Sequence, residues 1–166
     1  MSKKRRFVIT GLGVIAPNGI GKEKFWNALK TGKSGIKPIK RFDTSEFKCK
    51  LAGEVHDFEP ALYLGSTGLR SLERTSRLLC SAAKMAIDDA SLIIDYKNTD
   101  DIGVCTGTTL SNLWNFAEFE KGAIIDGPRF TDASLFPGSV MTAASSQVSI
   151  RFNIQGFNTT ISTGYS

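Results

Sequence analysis

An α/β layer built on a largely parallel sheet is the fold class this sequence predicts, on three observations. Short β-rich apolar runs, two of them closed by glycine, alternate with segments of helical period. The 41% hydrophobic and 22% charged content is that of a globular chain rather than a disordered one. A length of 166 residues suffices for one domain with a hydrophobic core, and no internal repeat, low-complexity segment or linker divides it.

Phe7-Val-Ile-Thr-Gly11 reads as the first buried strand, an apolar run stopped by glycine. After a break at Gly19 to Gly21, Lys22 to Lys30 reads as an amphipathic helix with Phe25, Trp26 and Leu29 on one face, and Gly32 stops it. From Ser34 to Gly68, scattered Pro, Gly, Asp and Ser predict irregular chain with one brief strand at Leu51 to Val55. The spacing of Leu78, Leu79, Ala82, Ala83, Ala86, Ile87 and Ala90 predicts the clearest helix, over about 72–90, with small residues suited to close packing. Ile102 to Gly107 reads as a second buried strand ending in a glycine turn. Ser111 is the expected N-cap of a helix running through Trp114, Phe116 and Phe119 to about Lys121. A loop over 122–137 leads to an Ala- and Ser-rich helix over 138–151, and Thr159 to Ser162 reads as the last strand.

Net charge is +5, from 21 Lys and Arg against 16 Asp and Glu. Lys3 to Arg6 read as a solvated leader ahead of a strand. Neither an aromatic-interleaved basic patch nor a helix-turn-helix pattern is present, so nucleic acid is not an expected partner. A mildly positive surface suits an acidic protein instead. No apolar stretch approaches the roughly 18 residues of a membrane helix. The run after the basic N-terminus is short and broken by Thr10, Gly11 and Gly13, a poor match to a signal peptide, so the cytoplasm is the expected compartment. Cys49, Cys80 and Cys105 are odd in number and lack metal-ligand spacing, which predicts free, buried thiols. His56 is the single histidine, so this chain alone assembles no His-based metal cluster and no Ser–His–Asp arrangement; beside Asp57 it reads as a surface residue.

Gly11-Leu-Gly13-Val-Ile-Ala16 formally satisfies the dinucleotide fingerprint G-x-G-x-x-G/A. There the motif opens directly into a helix whose N-terminus holds the pyrophosphate. Here Pro17-Asn-Gly19 intervenes, and no acidic residue closes a second strand at the expected spacing. The reading is a tight turn leaving a central strand, with no cofactor; an NAD-binding module is the minor alternative, and NAD(H) titration decides it.

Several segments share an order and a spacing. They are Arg6-Phe-Val-Ile-Thr-Gly-Leu-Gly-Val-Ile-Ala-Pro-Asn-Gly19, Trp26-Asn-Ala-Leu-Lys-Thr-Gly-Lys-Ser-Gly-Ile36, Arg41-Phe-Asp-Thr44, Gly103-Val-Cys-Thr-Gly107, Gly127-Pro-Arg129 and the stretch from Gly156 to Ser166. Together they resemble the N-terminal half of elongating β-ketoacyl-acyl-carrier-protein synthases, over about 6–166. The resemblance implies a thiolase-like fold, of which this chain is the N-terminal half of the duplicated layered α/β unit, with residues 1–166 as the synthase N-terminal domain. It implies an acyl carrier protein and a ketosynthase partner, as homo- or heterodimer. Gly107 and Thr108 match the turn that lines the family's acyl pocket, and Leu135 and Phe136 lie in a segment similarly reaching it. Arg70 and Arg129 fall where the family's basic residues meet the acidic carrier. Ordinary packing for the first four, and unpartnered surface arginines for the last two, remain open.

Two departures qualify the resemblance. The family carries a nucleophilic cysteine where this chain reads Thr163-Gly-Tyr165-Ser166. A phenol of pKa near 10 is a poor acyl-transfer nucleophile at neutral pH beside a thiolate, so no catalytic residue is assigned. Tyr165 is expected to fill the tunnel, its large apolar ring needing one hydrogen bond; a catalytic tyrosine is the alternative, although this chain offers no evident base to activate it. The absence of the C-terminal unit, which holds the family's two catalytic histidines, a lysine and the second oxyanion-hole N–H, is the other departure; a truncated gene product is the expected explanation, and a split gene stays open beside it. The function implied is that of a non-catalytic, chain-length-factor-like protein of fatty-acid or polyketide biosynthesis that shapes an acyl pocket with an active partner. The alternative is the N-terminal fragment of a condensing enzyme whose parent is active. Expressed alone, such a half is expected to expose apolar surface and associate.

Overall fold

The computed structural model describes residues 6–164. They form two units, one comprising the described chain to Glu59 with 82–92, the other 60–81 with 93 onward.

The first unit is organised around a hairpin. β1 (Ile15–Ala16) pairs antiparallel with β2 (Gly19–Ile20), Ile15 opposite Ile20, across a Pro17-Asn18 turn. Gly21, at φ 88°, redirects the chain into α1 (Lys22–Lys30). This helix has its predicted bounds and its predicted stop. Gly32 sits in the left-handed region at φ 64°, its N–H donates to Leu29 O at 3.1 Å, and Lys33 N–H donates to Ala28 O at 2.8 Å. The packed face differs from the expectation: Ala28 is buried, whereas Trp26 and Leu29 are 58% and 50% exposed. The helix approaches the hairpin at backbone distance, since a Cβ on Gly19 would lie 2.6 Å from Phe25 N. That separation leaves no space for large side chains between the two.

A second ribbon joins β3 (Lys37–Pro38) to β4 (Leu51–Ala52), so the brief predicted strand is shorter than expected and has a partner that sequence reasoning left in irregular chain. Pro17, at the hairpin apex, faces both arms. A Cβ on Gly35 would come within 2.8 Å of its ring, and one on Gly53 within 2.9 Å. Glu54 holds the following loop by accepting from Lys40 N–H at 2.9 Å and Arg41 N–H at 3.3 Å.

The predicted first strand is corrected. Residues 7–11 form no ladder with any other described segment, and Phe7, Val8 and Ile9 are 91%, 71% and 83% exposed. An apolar β-rich run supplies the propensity for a strand, but a strand exists only by pairing.

After α2 (Ala61–Leu64), the clearest predicted helix appears as α3 (Arg74–Asp89) and spans both units. Its last two turns explain the apparent dinucleotide motif. A Cβ on Gly13 would stand 1.8 Å from Ala82 O, and one on Gly11 2.2 Å from Ala86 O and 2.8 Å from Ala90 Cβ. These glycines let the chain cross directly over helix backbone; they do not open a phosphate cradle. Leu12 N–H donates to the Asp89 carboxylate at 3.0 Å, and Lys22 pairs with the same group.

In the second unit β5 (Val104–Gly107) and β6 (Asn158–Ile161) run parallel, with Val104 opposite Asn158 and Thr106 opposite Thr160. Their connection carries α4 (Leu113–Ile125), 3-10 turns at Pro128–Phe130 and Ala133–Leu135, α5 (Phe136–Ser139) and α6 (Ala143–Phe152). This is the crossover a parallel pair requires, and it confirms the α/β class. The expected largely parallel sheet is limited to this pair among the described strands; the other two ladders are antiparallel. The predicted loop over 122–137 instead holds the end of α4 and the two 3-10 turns, and α6 starts five residues later than expected. The core gathers Leu72, Cys80, Val104, Ala144, Val148 and Ile154. Asn153 ends α6 in the left-handed conformation at φ 52°, with Ile154 N–H donating to Ser149 O at 2.9 Å.

The expected N-cap of α4 also moves by one residue. Asn112 occupies that position, buried to 6% exposure; its amide donates to Gly138 O at 2.8 Å and its carbonyl accepts from Thr75 at 3.5 Å. Ser111, at φ 47°, sends its hydroxyl to Met141 O at 3.2 Å. The cysteines divide as well. All three are free, but Cys49 and Cys105 are exposed and only Cys80 is buried. Strand alternation accounts for Cys105, since Val104 and Thr106 take the inner face. Burial pushes the Cys80 thiol up to about 11, with Arg151 opposing the shift.

Candidate functional site

Ligands of parallel α/β sheets gather beyond the carboxyl ends of the strands, and that is where the second unit is hollow. A cavity of about 100 Å³ lies at the ends of β5 and β6. Thr106, Gly107 and Thr108 line it from β5 and the turn beyond, Thr160 from β6, Thr75 and Leu79 from α3; Ser111, Met141 and Ala144 complete the wall. Gly107 leaves the cavity open, because a Cβ there would meet nothing within 4 Å.

The hydroxyls in and behind this wall form a connected chain. Ser145 Oγ donates to Thr142 O at 2.9 Å and lies 2.9 Å from Thr160 Oγ1, which is 3.0 Å from Thr106 Oγ1. The parallel register makes the last pair, by placing the two threonines opposite each other. Thr108 Oγ1 accepts from Ser111 N–H at 2.9 Å. Thr108 N–H donates to Ile161 O at 3.0 Å and Ser162 Oγ to Thr109 O at 3.1 Å, so the turn after β5 is fastened to the end of β6.

The structure brings together two of the four expected pocket residues, Gly107 and Thr108. Leu135 and Phe136 do not line this cavity: Leu135 is half-buried, and the 56% exposed Phe136 packs its ring on Phe119, centroids 5.8 Å apart. Arg70 and Arg129 are exposed. Tyr165, the residue at the expected nucleophile position, lies outside the described residues. Sequence reasoning missed Thr106, Thr160 and Ser111. The signal for the first two was the pairing of Cys105-Thr-Gly107 with Thr159-Thr-Ile161, legible only once the register is known.

Among the described residues, no group of three or more His, Cys, Asp and Glu is placed to hold a metal ion, and no helix is long and apolar enough to cross a membrane. His56 is a partly exposed neighbour of Glu54, Nε2 to Oε2 3.5 Å.

A parallel pair closed by a helical crossover, with a cavity at its carboxyl ends, is an α/β arrangement, and the likeness to solved ketosynthase structures makes it thiolase-like. The chain belongs to the β-ketoacyl synthase family: residues 4–166 match the model of the β-ketoacyl synthase N-terminal domain. It is 37% identical over 161 residues to a 3-oxoacyl-[acyl-carrier-protein] synthase 2 of Coxiella burnetii, covering 97% of this chain and 39% of that protein. It is 34% identical to a β-ketoacyl synthase of the granaticin polyketide from Streptomyces violaceoruber, covering 92% and 37%. Among solved structures, the ishigamide ketosynthase/chain length factor matches with a TM-score of 0.80 at 32% identity, covering 94% of this chain and 39% of that one. The chain thus spans about two fifths of the length of these relatives.

Proposed function

We propose that residues 1–166 are the N-terminal domain of a chain-length-factor-like ketosynthase homologue of fatty-acid or polyketide biosynthesis. It does not itself transfer acyl groups; it shapes an acyl pocket beside an active ketosynthase partner. The observation that carries this reading is Tyr165 at the position of the family's cysteine. The likeness to a ketosynthase/chain length factor supports it. Gly107 and Thr108 contribute the pocket floor in this proposal, and Leu135 and Phe136 belong to the approach. Acyl carrier protein, present in the name of the Coxiella relative, is the proposed partner for exposed Arg70 and Arg129, by charge complementarity.

The exposed apolar run at Phe7, Val8 and Ile9 supports a domain that is covered by further protein. The deciding experiment incubates the chain with an acyl-carrier thioester and maps the products by mass spectrometry. An unmodified Tyr165 is expected. An ester on its phenolic oxygen would replace this reading with the acyl-transferring alternative, a condensing-enzyme fragment. Titration with the acyl carrier protein tests the docking residues separately: R70E and R129E each weaken binding, most at low ionic strength.

A further inference from the structure

We propose that the cavity at the ends of β5 and β6 selects an oxygen-bearing acyl segment over a saturated one, through the hydroxyls of Thr106 and Thr108. The inference rests on the reading of this cavity as an acyl site and adds the chemical class of chain it takes.

The argument is one of hydrogen-bond direction. A carbonyl only accepts, so the Ser145 hydroxyl, donating to Thr142 O, has spent its single proton. Thr160 must therefore be the donor toward Ser145, and Thr106 the donor toward Thr160. The chain of hydroxyls runs one way, from the cavity wall to a backbone carbonyl, and leaves Thr106 Oγ1 at the cavity with lone pairs and no proton to give. Thr108 is the converse. Its oxygen accepts from Ser111 N–H, and among the described residues no acceptor takes its proton. Thr75 and Ser111, also in the wall, give their protons to the Asn112 carbonyl and Met141 O, so Thr108 is the free donor of a lining that adds acceptor oxygens, Thr106 among them, to the carbon of Leu79, Met141 and Ala144. Mostly carbon with a few placed polar groups is the pattern that orients a ligand.

An all-methylene segment would leave both hydroxyl groups unmatched after driving out water, a cost an oxygenated segment avoids. The cavity of about 100 Å³ has room for a short keto-bearing segment.

Isothermal titration of the full chain with the pantetheine thioesters of butyrate and 3-oxobutyrate tests this, because the two differ only by a methylene exchanged for a carbonyl. The 3-oxobutyryl thioester should bind about 3–10-fold more tightly, the span of one net hydrogen bond. T108V should bring the two to parity. With the 3-hydroxybutyryl thioester, T106V should lose affinity in the same range. The wild-type comparison carries the test even if either variant fails to fold. Equal or tighter binding of butyryl overturns the selectivity alone. Failure of the wild-type chain to bind any of the thioesters overturns the acyl-site reading and this inference with it.

Discussion

Helix α3 is packed in two opposite ways along its length. Over 82–89 the helix is ordinary and its neighbour gives way: Gly11 and Gly13 shed their side chains so that backbone crosses backbone. Over 74–81 the helix itself gives way, burying Ser76, Cys80 and Ser81 with no measurable exposure. The first solution brings carbonyls of α3 within reach of a Cα and tolerates nothing larger. The second brings hydroxyls and a thiol into the core: Ser76 donates to the Glu73 carboxylate, whereas the buried Ser81 hydroxyl has no partner among the described residues. Close approach at a glycine is limited by steric volume; close approach at a serine costs whatever hydrogen bonding its hydroxyl gives up.

The sharpest way to break this contrast is Gly13→Ala. Its Cβ would enter the Ala82 carbonyl, and urea denaturation should show a loss of about 3 kcal/mol, the upper range of overpacking. Gly107→Ala, with open space around it, should stay within ~0.5 kcal/mol. Similar losses at the two positions would remove the steric explanation. Next in size is Asn112→Ala, which strips the buried link between Gly138 and Thr75 and should cost about 1–2 kcal/mol in the same assay.

Cys80 gives a smaller, pH-dependent effect. An unfolded thiol ionises near 9.0, and the buried one near about 11. The folded state holds its proton longer, so its advantage is intact below pH 9 and is lost as the pH rises toward 11. The slope should be at most about 1.4 kcal/mol per pH unit. Cys80→Ala should flatten the stability curve in that window, and a thiol reagent at pH 8 should label Cys49 and Cys105 ahead of Cys80. The smallest effect is at Asp89. The Lys22 ammonium and the Leu12 N–H hold this exposed carboxyl below its usual 3.8. Its contribution is complete above that value and disappears as the pH falls through the lowered one. Asp89→Asn should therefore narrow the difference between stability at pH 6 and in acid.

What the sequence disclosed depended on the range of the cause. Lys22–Lys30 was legible to its ends because Gly32 and the helical spacing act locally. β5 was legible as an apolar run, β6 as a strand over Thr159 to Ser162, and Gly107 and Thr108 as a turn, by pattern and by family order. Phe7 to Gly11 was misread because its pattern is real but its pairing depends on a neighbour. Trp26 and Leu29 were placed on the packed face because periodicity cannot know that Gly19 brings a backbone up to Phe25. Asn112 displaced Ser111 from the N-cap position, and its side chain caps nothing because Gly138 and Thr75, far along the chain, supply its partners. The cavity was legible as a location and not as a chemistry, since the hydroxyl chain from Thr106 to Ser145 exists only across strands in register.

The seat of Pro17 has a consequence for biosynthesis. Gly35 and Gly53 form its two flanks, so the apex leaves the ribosome well before the surface that receives it. The stretch of α3 that Gly11 and Gly13 require emerges later still. Vectorial synthesis therefore presents these earlier-made segments as ligands in waiting, and the first unit closes only when a helix some seventy residues downstream has been translated.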